Sequence, residues 1–290
     1  MMEKRISGTT GLYCLIGSPV GHSGSPAMYN YSFKKLEIDS AYVAFDISEE
    51  KVPDAINAFK TLNIRGANVT MPCKSAVVKY MDELSPAARI VGAVNTIVNN
   101  GGKLTGHITD GVGFVRNLQE HGVGVKGKKI TILGAGGAAT AIEVQCALDG
   151  AKEINIFNIK DAFYEKAKET IENIKKEVPK CVVNLCDLED TQKLTEKISE
   201  SDILVNATRV GMHPNQEQSP IKDTSNFRKG LAVADVVYNP KKTKFLEDAE
   251  AAGCTIVGGI GMLLWQGAEA FKLYTGLEMP TEEVNELYFK

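Results

Sequence analysis

No Cys-x-x-Cys pair occurs among the six cysteines, Cys14, Cys73, Cys146, Cys181, Cys186 and Cys254, and the four histidines are scattered. Neither a disulfide scaffold nor a zinc site is therefore expected, and most of the cysteines read as small core residues. No apolar run approaches the ~20 residues that span a bilayer, and the opening MMEKRISGTTG has no signal-peptide core, so a cytoplasmic location is the default expectation. Basic charge is not in excess. The 33 lysines and arginines against 36 acids give a net charge of -3, which excludes a general attraction to nucleic acid or to an anionic membrane and leaves local basic pockets open. Internal repeats, low-complexity tracts and long linkers are also missing. What remains is ordinary for a soluble globular protein, with 43% hydrophobic and 24% charged residues, and 290 residues are enough for two domains, each with its own core.

The stretch Lys128 to Gly150, KKITILGAGGAATAIEVQCALDG, organises the chain. Ile130 to Leu133 is a short branched apolar run, the pattern of a strand buried on both faces, and it runs into Gly134-Ala135-Gly136-Gly137, after which Ala138 to Leu148 reads as a helix. A strand, a glycine turn and a helix in that order put backbone N–H groups at a helix N-terminus, where a pyrophosphate is favoured. Gly134 allows the tight turn, Gly136 allows close backbone approach, and Ala139 stands where a third small residue packs helix on strand. The pattern reads as a dinucleotide site; the alternative is a glycine-rich turn in another α/β domain.

Before that stretch the chain predicts strands over 12–16, 41–47, 66–71 and 104–108, and helices over 27–36, 52–62 and 112–121, with a further helix opening at Cys73-Lys74-Ser75. Ser23 and Ser25 lie just ahead of a helix whose first turn holds Pro26, where they are either an N-cap or holders of an anionic group such as a carboxylate. Lys74 follows a strand end, the place where α/β folds present reactive groups, or is a solvated surface lysine. Asn95 falls in a small-residue turn, and Thr109 or Asp110 caps the next helix. Beyond Gly150, strands over 153–158, 182–187, 203–207 and 231–237 and a sixth around Thr255 alternate with helices over 162–178, 243–252 and 262–275, which predicts a doubly wound parallel sheet.

Eight ordered motifs then resemble the shikimate dehydrogenase family, with closer similarity to its shikimate/quinate dehydrogenase branch. They are GSPVGHSGSPAMYN (17–30), ANVTMPCK (67–74), GAVNT (92–96), TDGVG (109–113), GAGGAAT (134–140), NATRVGM (206–212), DVVYNP (235–240) and GMLLWQGAEAF (261–271). The resemblance implies an enzyme that interconverts shikimate and 3-dehydroshikimate with a nicotinamide cofactor in chorismate biosynthesis, with quinate as an additional substrate. It implies a discontinuous substrate domain, 1–109 with 262–290, and a Rossmann-type nucleotide domain, 110–261, with substrate in the cleft between them. Either a monomer or a homodimer is compatible with it.

Residue by residue, the resemblance assigns Ser23 and Ser25 to the substrate carboxylate, Thr70, Asn95 and Gln266 to the ring hydroxyls, and Tyr238 to the lining of the same site. It makes Lys74 and Asp110 the catalytic pair. Gly134, Ala135, Gly136, Gly137 and Ala138 form the pyrophosphate loop, Val236 and Gly259 lie near the nicotinamide, and Thr208 and Arg209 lie on the cofactor side. Oxidation of a ring hydroxyl needs a group that takes its proton. An ordinary lysine, with a pKa of ~10.4, is a poor base near neutrality and a neighbouring carboxylate does not change that, so Lys74 and Asp110 are read as a coupled dyad.

Two departures from the family pattern stand out. Ile108 replaces the asparagine usual before Thr-Asp, which removes amide hydrogen bonds beside Asp110. After the second nucleotide-domain strand the chain reads Asn158-Ile159-Lys160-Asp161 where NADP-preferring members carry an arginine for the 2′-phosphate. Asp161, about 25 residues past Gly136, suits a ribose hydroxyl and repels a 2′-phosphate, with Lys160 as a partial offset. NAD is therefore the expected cofactor, with NADP as a secondary one. The rival readings are a catalytically idle nucleotide-binding paralogue with a regulatory role, which Ile108 favours, and a dehydrogenase of another hydroxylated ring acid.

Overall fold

The computed structural model describes residues 6–289. Contacts divide the chain into two compact units, one of residues 1–109 with 266–290 and the other of residues 110–265.

In the first unit the chain runs β1 (Gly11–Gly17), α1 (Ser25–Lys35), β2 (Ser40–Asp46), α2 (Val52–Thr61), β3 (Gly66–Val69), β4 (Glu83–Leu84), α3 (Pro86–Val91), β5 (Thr96–Asn100) and β6 (Lys103–His107). The strands form one mixed sheet in the order β2-β1-β3-β5-β6-β4. Strand β1 pairs in parallel with both β2 and β3, while β5 runs antiparallel to β3 and to β6. An aromatic core lies against β1 and β2. Tyr29 and Tyr42 stack with ring centroids 4.5 Å apart, and Tyr13, Phe33, Phe271 and Tyr274 surround them.

In the second unit the order is α4 (Asp110–Glu120), β7 (Lys129–Leu133), α5 (Gly137–Leu148), β8 (Glu153–Asn158), α6 (Ala162–Glu177), β9 (Val182–Asp187), α7 (Thr191–Glu200), β10 (Ile203–Asn206), β11 (Ala232–Asp235), α8 (Lys244–Ala251) and β12 (Thr255–Val257). Its six strands are all parallel in the order β12-β11-β10-β7-β8-β9. The order reverses between β7 and β10, which makes this the doubly wound sheet expected from the alternation of strand and helix, with ligands favoured at the carboxyl ends of the strands on either side of the reversal. Helix α9 (Ile260–Thr275) and helix α10 (Thr281–Tyr288) complete the chain. Among the described residues no helix is long and apolar enough to cross a membrane.

Three helices lie outside the sequence expectations. Helix α7 buries only Leu194 and Ile198, α10 only Val284, and α3 is one and a half turns fixed by the Ser85 side chain, which accepts from the Ala88 N–H, and by left-handed Gly92. The helix expected to open at Cys73 does not form. Residues 71–77 make successive turns that end in a 3₁₀ helix, Val78–Tyr80. The Lys74 carbonyl, which a helix would offer to residue 78, instead accepts from the Val94 N–H at 2.9 Å, so the ladder is broken at its first turn.

Candidate active site

In the first unit, backbone hydrogen bonds draw three of the motifs to the carboxyl ends of β1 and β3. Thr70 N–H donates to the Ile16 carbonyl (2.8 Å), Ser18 N–H to Met71 (2.9 Å), Val69 N–H to Asn95 (2.8 Å) and Val94 N–H to Lys74 (2.9 Å). Gly17 makes this possible. It has a φ of +149°, and a Cβ there would stand 2.4 Å from Thr70 Cγ2 and 2.8 Å from the Met71 carbonyl oxygen. Thr70, Lys74 and Asn95 therefore share one strand-end cluster, with Lys74 half-buried in the turn and not on a helix.

Ser23 and Ser25 lie in the chain leaving β1. The capping position of α1 is Gly24, which has no side chain to cap the helix. Neither serine is thus the ordinary N-cap that the sequence left open. Ser23 Oγ accepts from the Ser25 N–H at 3.2 Å, and both side chains are half-buried at the N-terminus of α1, a setting that suits an anion. The adjoining turn of α9 docks on the same helix: a Cβ at Gly267 would meet Met28 Cε at 2.6 Å, and Tyr29 Oη donates to the Gly267 carbonyl at 3.1 Å. Gln266 precedes that contact.

Asn95 is 3% exposed and is the hub of a buried network. Its Oδ1 accepts from Thr109 N–H (2.9 Å), Thr109 Oγ1 (3.2 Å) and Thr96 Oγ1 (3.0 Å), and its Nδ2 donates to Thr109 Oγ1 (3.0 Å). This clasp fixes the residue before Asp110 at both backbone and side chain. Ile108 is itself buried, and His107, beside it, is held below the usual histidine range by burial. Ile108 offers no amide, and the side-chain bonds to Thr109 come from Asn95. Asp110 is the first residue of α4, and the Thr109 hydroxyl is bonded to Asn95.

In the second unit the glycine turn takes the form needed by a pyrophosphate. Gly134 has a φ of +102°, and a Cβ there would lie 3.0 Å from both the Ala207 carbonyl oxygen and Thr208 Cγ2, so glycine permits β7 and β10 to end side by side. Gly136 is the N-cap of α5 and supplies no side chain, and a Cβ at Gly136 or Gly137 would meet nothing within 4 Å. Ala135 is buried, Ala138 is exposed and Ala139 is fully buried against the sheet. An uncapped helix N-terminus with open space before it fits a dinucleotide.

Sequence reasoning missed the network that holds the ends of β10 and β11. Asn206 Oδ1 accepts from Thr208 N–H (3.1 Å) and Thr208 Oγ1 (2.7 Å), while its Nδ2 donates to the Val210 carbonyl (3.1 Å) and to Asp235 Oδ1 (3.0 Å). Asp235 also accepts from Val237 N–H (2.9 Å) and Thr243 Oγ1 (2.6 Å), and burial raises its carboxyl above the usual range against these bonds. The motifs NATRVGM and DVVYNP carry the signal, since a buried polar residue at a strand end needs such partners. Arg209 and Tyr238 are exposed beyond these anchors, and Val236 is half-buried. A Cβ at Gly259 would stand 2.5 Å from the Val236 carbonyl oxygen, so glycine fixes the approach of that segment to β11.

At the end of β8, Asp161 is the N-cap of α6. Its Oδ1 accepts from Phe163 N–H (2.9 Å), Tyr164 N–H (3.0 Å) and Asn158 Nδ2 (2.9 Å). Lys160 pairs with Asp187 at 2.7 Å.

Family models for the shikimate dehydrogenase substrate binding domain and the shikimate 5′-dehydrogenase C-terminal domain match residues 15–97 and 259–287. The chain is 50% identical over 288 residues to a shikimate dehydrogenase (NADP(+)) of Listeria monocytogenes serotype 4b, covering 99% of both chains. It is 45% identical over 281 residues to a quinate/shikimate dehydrogenase of Escherichia coli, covering 96% of this chain and 97% of the other. A crystal structure of shikimate 5-dehydrogenase from Listeria monocytogenes in complex with shikimate and NAD superposes with a TM-score of 0.96 at 50% identity, again over 99% of both chains. With likeness of this degree running through the strand-end cluster and the glycine turn alike, the chain belongs to the shikimate dehydrogenase family.

Proposed function

We propose that the protein catalyses reversible hydride transfer between shikimate and 3-dehydroshikimate, with quinate as a second substrate and NAD preferred over NADP. The observation that carries this reading is the full-length likeness to a relative solved with shikimate and NAD bound. The unit of residues 110–265 binds the dinucleotide and the unit of residues 1–109 with 266–290 binds the ring acid; in motif terms the division is 110–261 against 1–109 with 262–290.

When bound, the nicotinamide supplies the hydride acceptor, or the donor in reduction. The chain supplies everything else. Ser23 and Ser25 bind the substrate carboxylate at the N-terminus of α1, and Thr70, Asn95, Gln266 and Tyr238 orient the ring hydroxyls. Because the Asn95 oxygen is saturated by Thr96 and Thr109, its contribution to substrate is through the amide nitrogen. Lys74 and Asp110 together take the hydroxyl proton on oxidation and return it on reduction, and Lys74 stabilises the charge that develops on the oxygen. Gly134 to Ala138 bind the pyrophosphate, Thr208 and Arg209 border it, and Val236 and Gly259 border the nicotinamide. Asn158, Lys160 and Asp161 set the choice of cofactor, since an anchored carboxylate accepts from a ribose hydroxyl and repels a phosphate.

Steady-state turnover of shikimate and quinate, each with NAD and NADP, tests the reading. Shikimate is expected to turn over, faster with NAD. A preference for NADP of tenfold or more, equal to about 1.4 kcal/mol, contradicts the cofactor assignment. No turnover in any combination would indicate the idle paralogue. In the same assay Lys74→Ala is expected to lose most of kcat, on the order of 100-fold or more, with little change in substrate binding. Weakened binding with turnover intact would remove Lys74 from the chemistry.

A further inference from the structure

Strands β8 and β9 run in parallel with Asn158 beside Asp187, so the last residue of the edge strand stands next to the turn of residues 158–161. That turn contains one cation and one anion, and the structure treats them differently. Asp161 is locked, its Oδ1 receiving Asn158 Nδ2 and two amides of α6. Lys160 is drawn to the neighbouring strand: its Nζ is 2.7 Å from Asp187 Oδ2, while Asp187 Oδ1 accepts from the Glu189 N–H at 3.0 Å. Both oxygens of Asp187 are thus placed, and its side chain is 22% exposed against 70% for Lys160, so the acid is the anchored member of the pair and the lysine the solvent-facing one.

We propose that Asp187 is a specificity-determining residue for the cofactor, acting by holding Lys160 away from a 2′-phosphate. The proposal rests on the reading that the 158–161 turn meets the adenosine ribose. A ribose hydroxyl needs only an acceptor, which Asp161 offers, whereas a 2′-phosphate needs a cation, and the one cation of the turn is already engaged by a carboxylate. Asp187 therefore sharpens a discrimination that Asp161 begins. Because the pair lies at the surface and is screened by solvent, its effect is a factor of several, not of thousands.

The test is calorimetric titration of the purified protein with NAD, NADP and adenosine 2′,5′-bisphosphate, for the native chain and for Asp187→Asn, Lys160→Gln and the double variant. Asparagine keeps an acceptor for the Glu189 N–H, so the strand end is preserved. The ratio of NADP to NAD affinity is expected to rise about three- to tenfold in Asp187→Asn, with the bisphosphate tightening in parallel. That gain is expected to vanish in the double variant and, in kinetics, to sit in the KM for NADP and not in kcat. An unchanged ratio in Asp187→Asn, or the same gain with and without Lys160, overturns the proposal. Asp161→Asn, which retains a capping side chain, separates the two levels. If it leaves the NAD-to-NADP ratio unmoved, the turn does not meet the ribose and the reading beneath the proposal fails; if it moves the ratio while Asp187→Asn does not, the proposal alone fails.

Discussion

Glu143 is the residue least expected from its surroundings. It is 1% exposed on α5, neither carboxylate oxygen has a hydrogen-bond partner among the described residues, and burial pushes its pKa up to about 8. A lone carboxylate in such a place is costly, so the group is held neutral at pH 7. The folded pKa lies above the ordinary value, so the unfolded chain binds fewer protons than the folded one in between. The stability Glu143 contributes is complete below about pH 4.5 and is lost as pH rises toward 8. Glu143→Gln keeps the shape without the charge. The difference in unfolding free energy between variant and native protein is expected to grow in the variant's favour from pH 5 to pH 8.5, reaching on the order of a few kcal/mol. Urea titrations at pH 5, 6.5 and 8.5 measure it; a difference that stays constant across the three would mean that Glu143 titrates normally.

Glu143 shares its burial with most of α5. Read alone, GAATAIEVQCAL places a single acid where a solvent-facing residue is ordinary, but α5 is buried at Ala139 to Val144, Cys146 and Ala147 because it is packed on more than one side. Helix α4 lies on it so closely that a Cβ at Gly111 would be 2.2 Å from the Ala141 carbonyl oxygen and 2.6 Å from Gln145 Cβ. The glycine of TDGVG is thus a packing requirement, a reason that its spacing in the sequence does not disclose. Gly111→Ala is expected to destabilise the protein by about 3 kcal/mol, since the obstacle is backbone, while Gly124→Ala, where a Cβ meets nothing within 4 Å, changes stability by about 0.5 kcal/mol or less. Chemical denaturation compares the two, and similar midpoints would disprove the close approach. The same distinction explains what was legible elsewhere. The inner strands β7, β8, β10 and β11 announce themselves as short apolar runs, because parallel strands inside a sheet are buried on both faces. The turn at Lys74 does not, because whether that segment is helical is decided by Val94, some 20 residues away. Likewise the Asn95 clasp on Thr109, next to Ile108, depends on β5 and β6 lying antiparallel.

At the scale of the whole molecule, the supports of the strand ends are less legible in the sequence than the motifs that contain them. Asn206 and Asp235 open the motifs NATRVGM and DVVYNP, but the bond between them and the bond from Thr243 to Asp235 are recognisable only when β10 and β11 are adjacent. The cysteines are the converse case, since their reading as core residues needed no contact to be known. All six are buried, Cys14 and Cys73 in one unit and Cys146, Cys181, Cys186 and Cys254 in the other. Burial pushes the Cys14 thiol up to about 12 and Cys181 to about 11, and raises Cys73, Cys146 and Cys254 as well. Only the thiolate reacts, so both access and ionisation oppose modification in each unit. Incubation with 5,5′-dithiobis(2-nitrobenzoate) at pH 8 is expected to label fewer than one thiol per folded chain on the timescale in which all six react in guanidinium chloride. Labelling at intermediate denaturant then reports the opening of each core through its own thiols, identified by mass spectrometry. Rapid labelling of two or more in the native protein would show that at least one of the two cores is open to solvent.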